Sequence, residues 1–550
     1  MTKRERVFTV FLFLLIVCMV VPSFAGGGQS ASGPARTGPD PNFNPTGLPI
    51  VKEMIALNFA ACRPAGFLND MKDMKVFHDY EPGTNIRINW IEIEEAAWTE
   101  KTSLMLSSND LPDAFWGWPI TDNIVLTYGE QGILIPLENM IDAYAVNMLK
   151  GIEEVPGIRP AMTYPNGHIY AIPMQNIGGE GVVQNYPWIN VQWLAAAGKN
   201  MPATTEELYD VLKAFRALYP NGIPMSFQQY NANGTPNTQF SILSMFGSFG
   251  VLDNERHLMI DAKGDILFTP SLPGYLEAVR YFNRLAREGL LDPESFSQNL
   301  QQLQGKTRSE TGVGLTFGNM INFHIDWSDR PQGYEETLDD YYAADVKYRL
   351  MPGLSGPNGQ PYMHGRMAGI QGADTNRFMI TNICKYPEAA LRWVDLFCDN
   401  GVNANNIRLG PQGMFWQFGA DGMREQLNPP VGTEQGVSYG PANYCVWWWL
   451  PSSWVVSVPS QQYQNMTGLE YKQYLDLPNL PPIKFAAAEL ERLSQIQIDL
   501  FRYVESSLVS FVLNGVTDVQ WNDYLTRLRA YNMDAFVQIY RTGYDRATGR

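Results

Sequence analysis

One segment near the start of the chain alternates between strand and helix patterns, and this alternation limits the fold more than any other feature. Apolar and polar residues alternate with period two in Asn85–Ile93 (NIRINWIEI), and Met54–Ala60 (MIALNFA) is a second strand pattern. Helices are predicted at about Asp70–Tyr80 and at Trp98–Leu106, and a short strand ending in a loop at Leu111–Trp118. This order and spacing predict an α/β fold with an open, mostly parallel sheet.

The third predicted strand carries residues suited to binding. In open parallel sheets, ligands bind outside the carboxyl ends of the strands. We therefore expect Asp113, Trp116 and Trp118 to lie near a binding site. A turn is predicted at Glu81-Pro82-Gly83, between the first helix and the second strand.

Several later segments carry the start and stop signals of helices. Thr204 and Glu207 fit a capping box, and Pro220-Asn221-Gly222 ends the helix that follows. The predicted apolar face of this helix consists of Leu208, Val211, Leu212, Phe215 and Leu218. The other predicted helices are Gly274–Leu290, Lys385–Asn400, Glu489–Phe511 and Thr517–Arg529.

Length and charge set broad limits on the protein class. The chain has 550 residues, of which 45% are hydrophobic and 17% charged, as in globular proteins. Single cores stop growing near about 250–300 residues, so two or more lobes are expected. The net charge of −16 would repel phosphate backbones, so no nucleic-acid partner is predicted.

The first residues form an export signal. A basic start (TKRER) precedes the apolar run Val7–Val21, and small residues that a signal peptidase reads lead up to Ala25. The run has 15 residues, whereas a membrane-spanning helix needs about 20. We therefore expect cleavage after Ala25, which leaves a flexible linker at residues 26–49 that is rich in Gly, Pro and Ser.

Two alternatives keep the chain attached to a membrane. An uncut anchor is less favoured, because the basic, apolar and small-residue parts come in the order that cleavage needs. Lipid attachment at Cys18 is less favoured, because Val17 stands where a lipoprotein signal has a small residue and the apolar run continues past Cys18. The expected protein is therefore exported to the periplasm or the cell surface and released.

No metal site and no cofactor are predicted. Cys18, Cys62, Cys384, Cys398 and Cys445 contain no CxxC pair, and the five histidines contain no HExxH motif. Four cysteines remain after cleavage. One or two disulfides and four buried free thiols fit the sequence equally well.

The sequence lacks common catalytic motifs. It contains neither a GxSxG nucleophile elbow nor a GxxxxGK[ST] phosphate loop. Gly312–Gly318 (GVGLTFG) is predicted to be a strand that runs into a turn rather than a GxGxxG loop. The acidic clusters at Glu92–Glu95 and Glu335–Asp340 are more typical of a solvated surface than of a glycosidase carboxylate pair. A binding protein is therefore favoured over an enzyme.

Fourteen tryptophans, several in loop-like contexts beside Gly or Pro, indicate contacts with ring-shaped ligands. An indole face suits the CH-rich face of a sugar ring, and Asp, Asn, Gln or Arg can bond to the hydroxyls. For any single Trp the core is the better expectation, and Trp393 and Trp521 are predicted to be core. The predicted ligand-binding residues are Asp113, Trp116, Trp188, Trp327, Arg366, Trp416, Trp447 and Trp448, although an ordinary salt bridge fits Arg366 equally well.

Eight segments stand out together: DLPDAFWG, GILIPLENMIDAYA, NGHIYAIPM, NVQWLAAAGKNMPATTEELYDVLKAF, EGLLDPESF, ITNICKYPEAALRWVDLF, GPQGMFW and WNDYLTRLRAYNMDAFVQIYRTGYDR. In this order they resemble extracellular solute-binding proteins of ABC importers, in the large sugar/oligosaccharide branch (family 1). The resemblance covers the chain after residue 50. It implies a type II periplasmic-binding-protein fold, in which two α/β lobes joined by a hinge hold the solute in the cleft between them.

The resemblance also implies a division of the chain. Lobe 1 would comprise residues 50–175 and 345–440, and lobe 2 residues 176–344 and 441–550. The chain would cross between the lobes near Ala171–Gln184, Tyr341–Pro352 and Gly436–Tyr444. The family segments aligned on Leu111–Asp113 and Gly413–Trp416 would lie by the cleft. Tyr219–Pro224 (YPNGIP) departs from the acidic calcium loop of many relatives, so no calcium is predicted there.

The function that the resemblance implies is that of a non-catalytic, monomeric receptor. It would bind a saccharide by lobe closure and present it to ABC permease subunits in the membrane. Two alternatives remain: a secreted carbohydrate-active enzyme, and a sugar-sensing binding protein for a membrane kinase.

Overall fold

The structure is a computed structural model. It describes residues 38–63, 70–154, 157–176, 185–232, 234–318, 324, 337–342, 346–357, 369–370, 376–399, 401–420, 424–427, 446, 463, 466–468, 470–474 and 480–550. The chain divides after Pro41, and residues 42–550 belong to the second, compact unit. All elements below belong to the second unit.

The strands and helices follow each other along the chain in an α/β order. The strands are β1 (Ile55–Arg63), β2 (Ile86–Glu94), β3 (Ala114–Trp116), β4 (Gln175–Asn176), β5 (Tyr186–Asn190), β6 (Ile223–Met225), β7 (Leu258–Ile260), β8 (Ile266–Phe268), β9 (Val313–Gly318), β10 (Tyr348–Leu350), β11 (Gly369–Ile370), β12 (Phe378–Ile380), β13 (Trp416–Phe418) and β14 (Arg424–Gln426). The helices are α1 (Lys75–Thr84), α2 (Trp98–Ser108), α3 (Asp122–Glu130), α4 (Glu138–Tyr144), α5 (Val146–Glu154), α6 (Ile158–Met162), α7 (Val191–Ala196), α8 (Thr205–Leu218), α9 (Pro273–Arg287), α10 (Leu300–Arg308), α11 (Leu338–Tyr342), α12 (Pro387–Leu396), α13 (Val402–Leu409), α14 (Ala487–Asn514), α15 (Asp518–Ala530) and α16 (Met533–Thr548).

The first four-stranded sheet has the order β12-β3-β1-β2. β1 pairs in parallel with both β2 and β3, whereas β12 runs antiparallel to β3. The predicted mostly parallel sheet is confirmed. We refer to this sheet and the helices packed on it as the first lobe.

The turn predicted at Glu81-Pro82-Gly83 is wrong, because all three residues lie inside α1. Pro82 has no backbone N–H to donate to the His78 carbonyl, so the helix continues through it with one hydrogen bond fewer. The helix ends only at Asn85, which adopts a left-handed conformation with φ of 58° and donates its N–H to the carbonyl of Glu81.

The second four-stranded sheet has the order β10-β5-β9-β6. β6 and β9 are parallel, while β5 runs antiparallel to both β9 and β10. β9 confirms the strand predicted in the GVGLTFG segment. We refer to this sheet and the helices packed on it, including α8, α9 and α14, as the second lobe.

Each lobe has its own core. In the first lobe, Phe59 on β1 meets the rings of Trp90, Phe378 and Trp393 at 5.7–6.0 Å between centroids. In the second lobe, apolar side chains of the sheet pack against α8, α9 and α14. The face of the second sheet that points away from these helices carries an aromatic cluster: Tyr186, Trp188, Tyr341, Tyr348, Tyr463 and Tyr471.

The helix predicted after Thr204 forms as α8. The Thr204 hydroxyl accepts a hydrogen bond from the Glu207 N–H at 3.1 Å, as an N-cap does. Four residues of the predicted apolar face are buried, but Leu218, in the last turn, is 48% exposed. The buried apolar face of α8 therefore ends one turn earlier than predicted, because the last turn of the helix extends past the core.

Sheet membership shows where the chain changes lobe. Ile172 bridges to Phe378 in the first lobe, and β5 starts at Tyr186 in the second, so the first change lies between them. β10 belongs to the second sheet, where it covers the open edge of β5. The crossing near Tyr341–Pro352 and the predicted division of the chain into lobes stay predictions. The predicted crossing at Gly436–Tyr444 lies outside the described residues.

Within the described residues, no helix is both long and apolar enough to cross a membrane. The apolar run Val7–Val21 lies outside them. Cys62 and Cys398 are buried, Cys384 is partly buried, and Cys445 lies outside the described residues.

The first core supplies a stability test. Leu391 on α12 is fully buried, whereas Leu104 on α2 is 56% exposed. We predict that Leu391→Ala lowers the free energy of unfolding by about 2–5 kcal/mol, because it leaves a cavity in a packed core. The matched Leu104→Ala should change it by less than about 0.5 kcal/mol. Chemical denaturation measures both, and equal losses would contradict this assignment of the core.

Candidate functional site

The carboxyl ends of three parallel strands meet at one edge of the first sheet. β1 ends at Arg63, and the register pairs Arg63 with Glu94 at the end of β2. β3 ends at Trp116, and antiparallel β12 begins at this same edge, directly after Arg377. This edge is where ligands bind in sheets of this kind.

Arg63 is the centre of an ion-pair cluster at this edge. Its Nη1 donates to Glu94 Oε1 at 2.9 Å, and its Nε lies 3.3 Å from Asp70 Oδ1 and 4.0 Å from Glu92 Oε2. The hydrogen bond to Glu94 raises the pKa of Arg63. The Arg63 side chain remains 29% exposed, so the cluster offers fixed charged groups to hydroxyls of a solute.

Trp118 and Arg377 lie at the same edge. Gly117 has φ of 89°, a left-handed conformation that turns the chain out of β3. The Gly117 carbonyl accepts a hydrogen bond from Arg377 Nη1 at 2.8 Å, and the Arg377 guanidinium lies 5.6 Å from the centre of the Trp118 ring. Trp118 is half-buried, so its indole is partly open at the carboxyl edge of the sheet.

Asp113 lies elsewhere than expected. It precedes β3, so it stands at the amino end of that strand, and its Oδ2 accepts a hydrogen bond from the Asn58 N–H at 2.7 Å. Asn58 is five residues before Arg63, or about 16 Å along β1. The carboxylate holds β3 against β1, and its contact with a solute stays a prediction.

Three predicted ligand-binding tryptophans lie in strands and are at most 2% exposed. Trp116 packs on Trp90 at 5.3 Å between ring centroids. Trp188 stacks on Tyr463 at 6.0 Å, and its Nε1 donates to the Gly318 carbonyl at 2.9 Å. Trp416 donates its Nε1 to the Gly410 carbonyl at 3.0 Å. The prediction that these rings stand in loops is wrong, because all three lie in strands. Their contact with a solute stays a prediction.

The other four candidates, Trp327, Arg366, Trp447 and Trp448, lie outside the described residues and stay predictions. Among the candidates that the structure describes, Trp116 lies in the first sheet and Trp188 in the second.

Two buried amide side chains lie at the edge of the second sheet where the parallel strands β6 and β9 end. β6 and β9 are parallel, so Met225 and Gly318 end at one edge, where Tyr186 begins β5. Just beyond it, Asn185 donates its Nδ2 to the Ser241 carbonyl at 2.7 Å, and Gln228 is 7% exposed. No sequence motif singles out these amides. Their position within three residues of a strand end is the signal that points to them.

A buried ion pair ties the C-terminal part of the chain to the first lobe. Lys484 Nζ contacts the Asp122 carboxylate at the start of α3 and donates to Asn376 Oδ1 at 3.0 Å. Asp122 also accepts hydrogen bonds from Asn376 Nδ2 at 2.7 Å and the Tyr164 hydroxyl at 2.9 Å. Burial raises the pKa of Asp122, but Lys484 and these donors outweigh it and leave the pKa below its usual value. Asp122 is therefore a carboxylate at neutral pH.

The neighbours of Lys484 belong to the other core. Ile483 and Phe485 pack in the second lobe, and the Phe485 ring lies 5.0 Å from that of Tyr540 on α16. The Lys484 carbonyl accepts a hydrogen bond from Arg546 Nη1 at 3.2 Å. The segment before α14 therefore joins the two lobes beside Asn376, at the edge that carries Arg377.

The family model described as "Bacterial extracellular solute-binding protein" matches residues 70–404. The chain belongs to this family. A curated relative, the fructooligosaccharide ABC transporter substrate-binding protein FusA of Streptococcus pneumoniae, is 26% identical over 546 residues. The alignment covers 94% of this chain and 95% of FusA.

Solved structures of similar proteins share the fold. FusA, as an EF-hand mutant in complex with fructo-nystose, aligns with a TM-score of 0.73 and 24% identity, covering 90% of this chain and 100% of FusA. An HMO-binding solute-binding protein from Bifidobacterium longum infantis aligns with a TM-score of 0.75 and 18% identity, covering 90% and 99%. The predicted periplasmic-binding-protein fold is confirmed.

The ion pair at the lobe junction gives a second test. Lys484→Met removes the cation from the Asp122 carboxylate, and we expect a loss of about 3 kcal/mol in the free energy of unfolding. Lys75→Met breaks an exposed ion pair with Asp79 and should cost less than about 1 kcal/mol. Thermal and chemical unfolding measure both. If Lys484→Met is as mild as its control, the pair does not hold the lobes together.

Proposed function

We propose that this protein is an extracytoplasmic receptor that captures an oligosaccharide and delivers it to the permease of an ABC importer. The observation that carries the proposal is the similarity to FusA along almost the whole of both chains. A match of this extent includes both lobes and the junction between them, rather than one shared motif.

The proposed mechanism is lobe closure on a shared solute. A ligand stabilises the closed state only if it interacts more strongly with that state than with the open one. A solute that contacts both sheet edges meets this condition, because the two sets of contacts coincide only when the lobes approach. The permease then reads the closed surface.

The carboxyl edge of the first sheet carries the side chains that a neutral sugar needs. The indole of Trp118 offers an apolar face, while Arg63, Glu92 and Glu94 offer donors and acceptors for hydroxyls. Their mutual ion pairs keep them in place before the solute arrives, which lowers the entropy lost on binding. The predicted contacts of Trp327, Arg366, Trp447 and Trp448 would complete the site.

The proposed receptor also has a defined oligomeric state and membrane partner. The receptor works as a monomer, requires no cofactor and catalyses no reaction, and its membrane partners are permease subunits. In the described residues, no group of three or more His, Cys, Asp or Glu side chains is arranged to hold a metal.

Sugar titration tests the ligand class. We expect kestose, nystose and longer fructo-oligosaccharides to change the Trp fluorescence of the protein and to raise its melting temperature. Trp118→Ala should weaken binding by about tenfold, because it removes one ring contact. Tyr531→Ala removes a 37% exposed ring outside both edges and should leave affinity unchanged.

Two results would contradict the proposal. If saccharides change neither signal while peptides change both, the ligand class is wrong. If the oligosaccharide is cleaved during the titration, the protein is a carbohydrate-active enzyme.

We also propose export with cleavage after Ala25, which the family membership supports. The mature protein should start at Gly26 by N-terminal sequencing. Ala25→Asp should block processing because it removes the small residue at the cleavage site, whereas Ala31→Asp should not. A Cys18-dependent lipid label on the mature protein would refute release.

A further inference from the structure

The second lobe contains a cavity of about 1100 Å³. It lies between the segment that follows β6, the start of α10 and one side of α14. Its described lining residues all belong to the second lobe. Gln228, three residues after the end of β6, is among them, so the cavity wall includes the segment that leaves the sheet edge where a solute is expected.

The walls combine rings with small polar groups. Tyr230, Phe296 and Phe501 are partly exposed aromatic residues of the lining, and Ser297 and Asn299 are exposed polar ones. Flat apolar faces next to amides and hydroxyls suit a molecule with CH-rich faces and a hydroxyl rim. The volume of about 1100 Å³ slightly exceeds the range of about 300–1,000 Å³ for small-ligand sites, which favours a ligand of several units.

Two buried glutamines form part of the cavity wall. The Gln228 amide donates to the Tyr230 carbonyl at 2.9 Å, and the Gln298 amide donates to Ser226 Oγ at 3.0 Å. Both side chains are more than nine-tenths buried, and neither Oε1 has a hydrogen-bond partner. Because both oxygens are closed off from the surface, the exposed side chains of Ser297 and Asn299, rather than these glutamines, offer hydrogen-bond partners to a ligand hydroxyl.

The charge at the cavity is negative. Glu505 lines it, and its Oε1 lies 2.9 Å from Nε2 of the buried His257, whose Nδ1 lies 3.0 Å from Asp253. Burial lowers the pKa of His257, but the two carboxylates outweigh it and raise the pKa to about 10. The three groups therefore carry one net negative charge.

The other charged lining residues do not reverse this sign. Glu255 adds a second negative charge. Arg502 is 73% exposed and lies 3.5 Å from Asp499, which balances it. An anionic ligand would be repelled, whereas hydroxyl donors would be attracted.

We infer that this cavity is a subsite that holds the distal units of a long, neutral oligosaccharide whose first units occupy the site between the lobes. This inference rests on the proposed function. Because the described lining comes from one lobe, the units held here add affinity without favouring the closed state. The subsite would therefore select for chain length.

Filling the cavity tests this inference. Ser297 is exposed and lines the cavity, whereas Ser494 is exposed on α14 and does not. The variants Ser297→Trp and Ser494→Trp are compared with the unaltered chain by calorimetric titration with kestose and with long fructo-oligosaccharides. We expect Ser297→Trp to weaken binding of the long chains by at least about tenfold and to leave kestose binding unchanged. Ser494→Trp should alter neither.

The outcomes separate this inference from the proposed function. If the unaltered chain binds no saccharide, both fail. If it binds every length and Ser297→Trp does so equally well, only the subsite is refuted. If a carboxylated oligosaccharide of matched length binds as tightly as the neutral one, the selection for neutral chains is refuted.

Discussion

The parallel pairing of β1 with both β2 and β3 is the constraint on which the first lobe depends. Parallel strands end at the same edge of a sheet, so the pairing alone brings together residues that are far apart in the chain. The register that pairs Arg63 with Glu94 places their side chains within hydrogen-bond distance. A slip of one residue would turn every side chain of β2 to the other face and separate this pair.

The sequence patterns correctly predicted the elements whose formation depends on nearby residues, such as β2 and the start of α8. Period-two alternation in Asn85–Ile93 gave β2, because one face of that strand packs on a core while the other meets solvent. The Thr204 cap fixed the start of α8 in the same way. The turn predicted at Pro82 failed, because Asn85 supplies a left-handed end two residues after Gly83 and the helix continues to it.

The placement of the tryptophans depends on distant partners, which no local pattern contains. Trp116 is buried because Trp90 covers it, and Trp188 because Tyr463, 275 positions later, stacks on its face. Trp118 is only two positions after Trp116, yet Gly117 ends the strand and leaves its ring half-buried. The sequence therefore predicts that aromatic residues are abundant near the edge, but not which ring is open.

Affinity and closure are separate properties in a protein with two cores. A contact made within one lobe lowers the free energies of the open and closed states equally, so it strengthens binding without shifting their ratio. The cavity beside α14 provides such contacts, whereas a solute spanning the two sheet edges changes the ratio. The Lys484 segment belongs to neither class, because its contacts with the two cores involve no solute. Chain-length preference could therefore change through α14 while the closing response, set at the edges beside Asn376 and Arg377, stays the same.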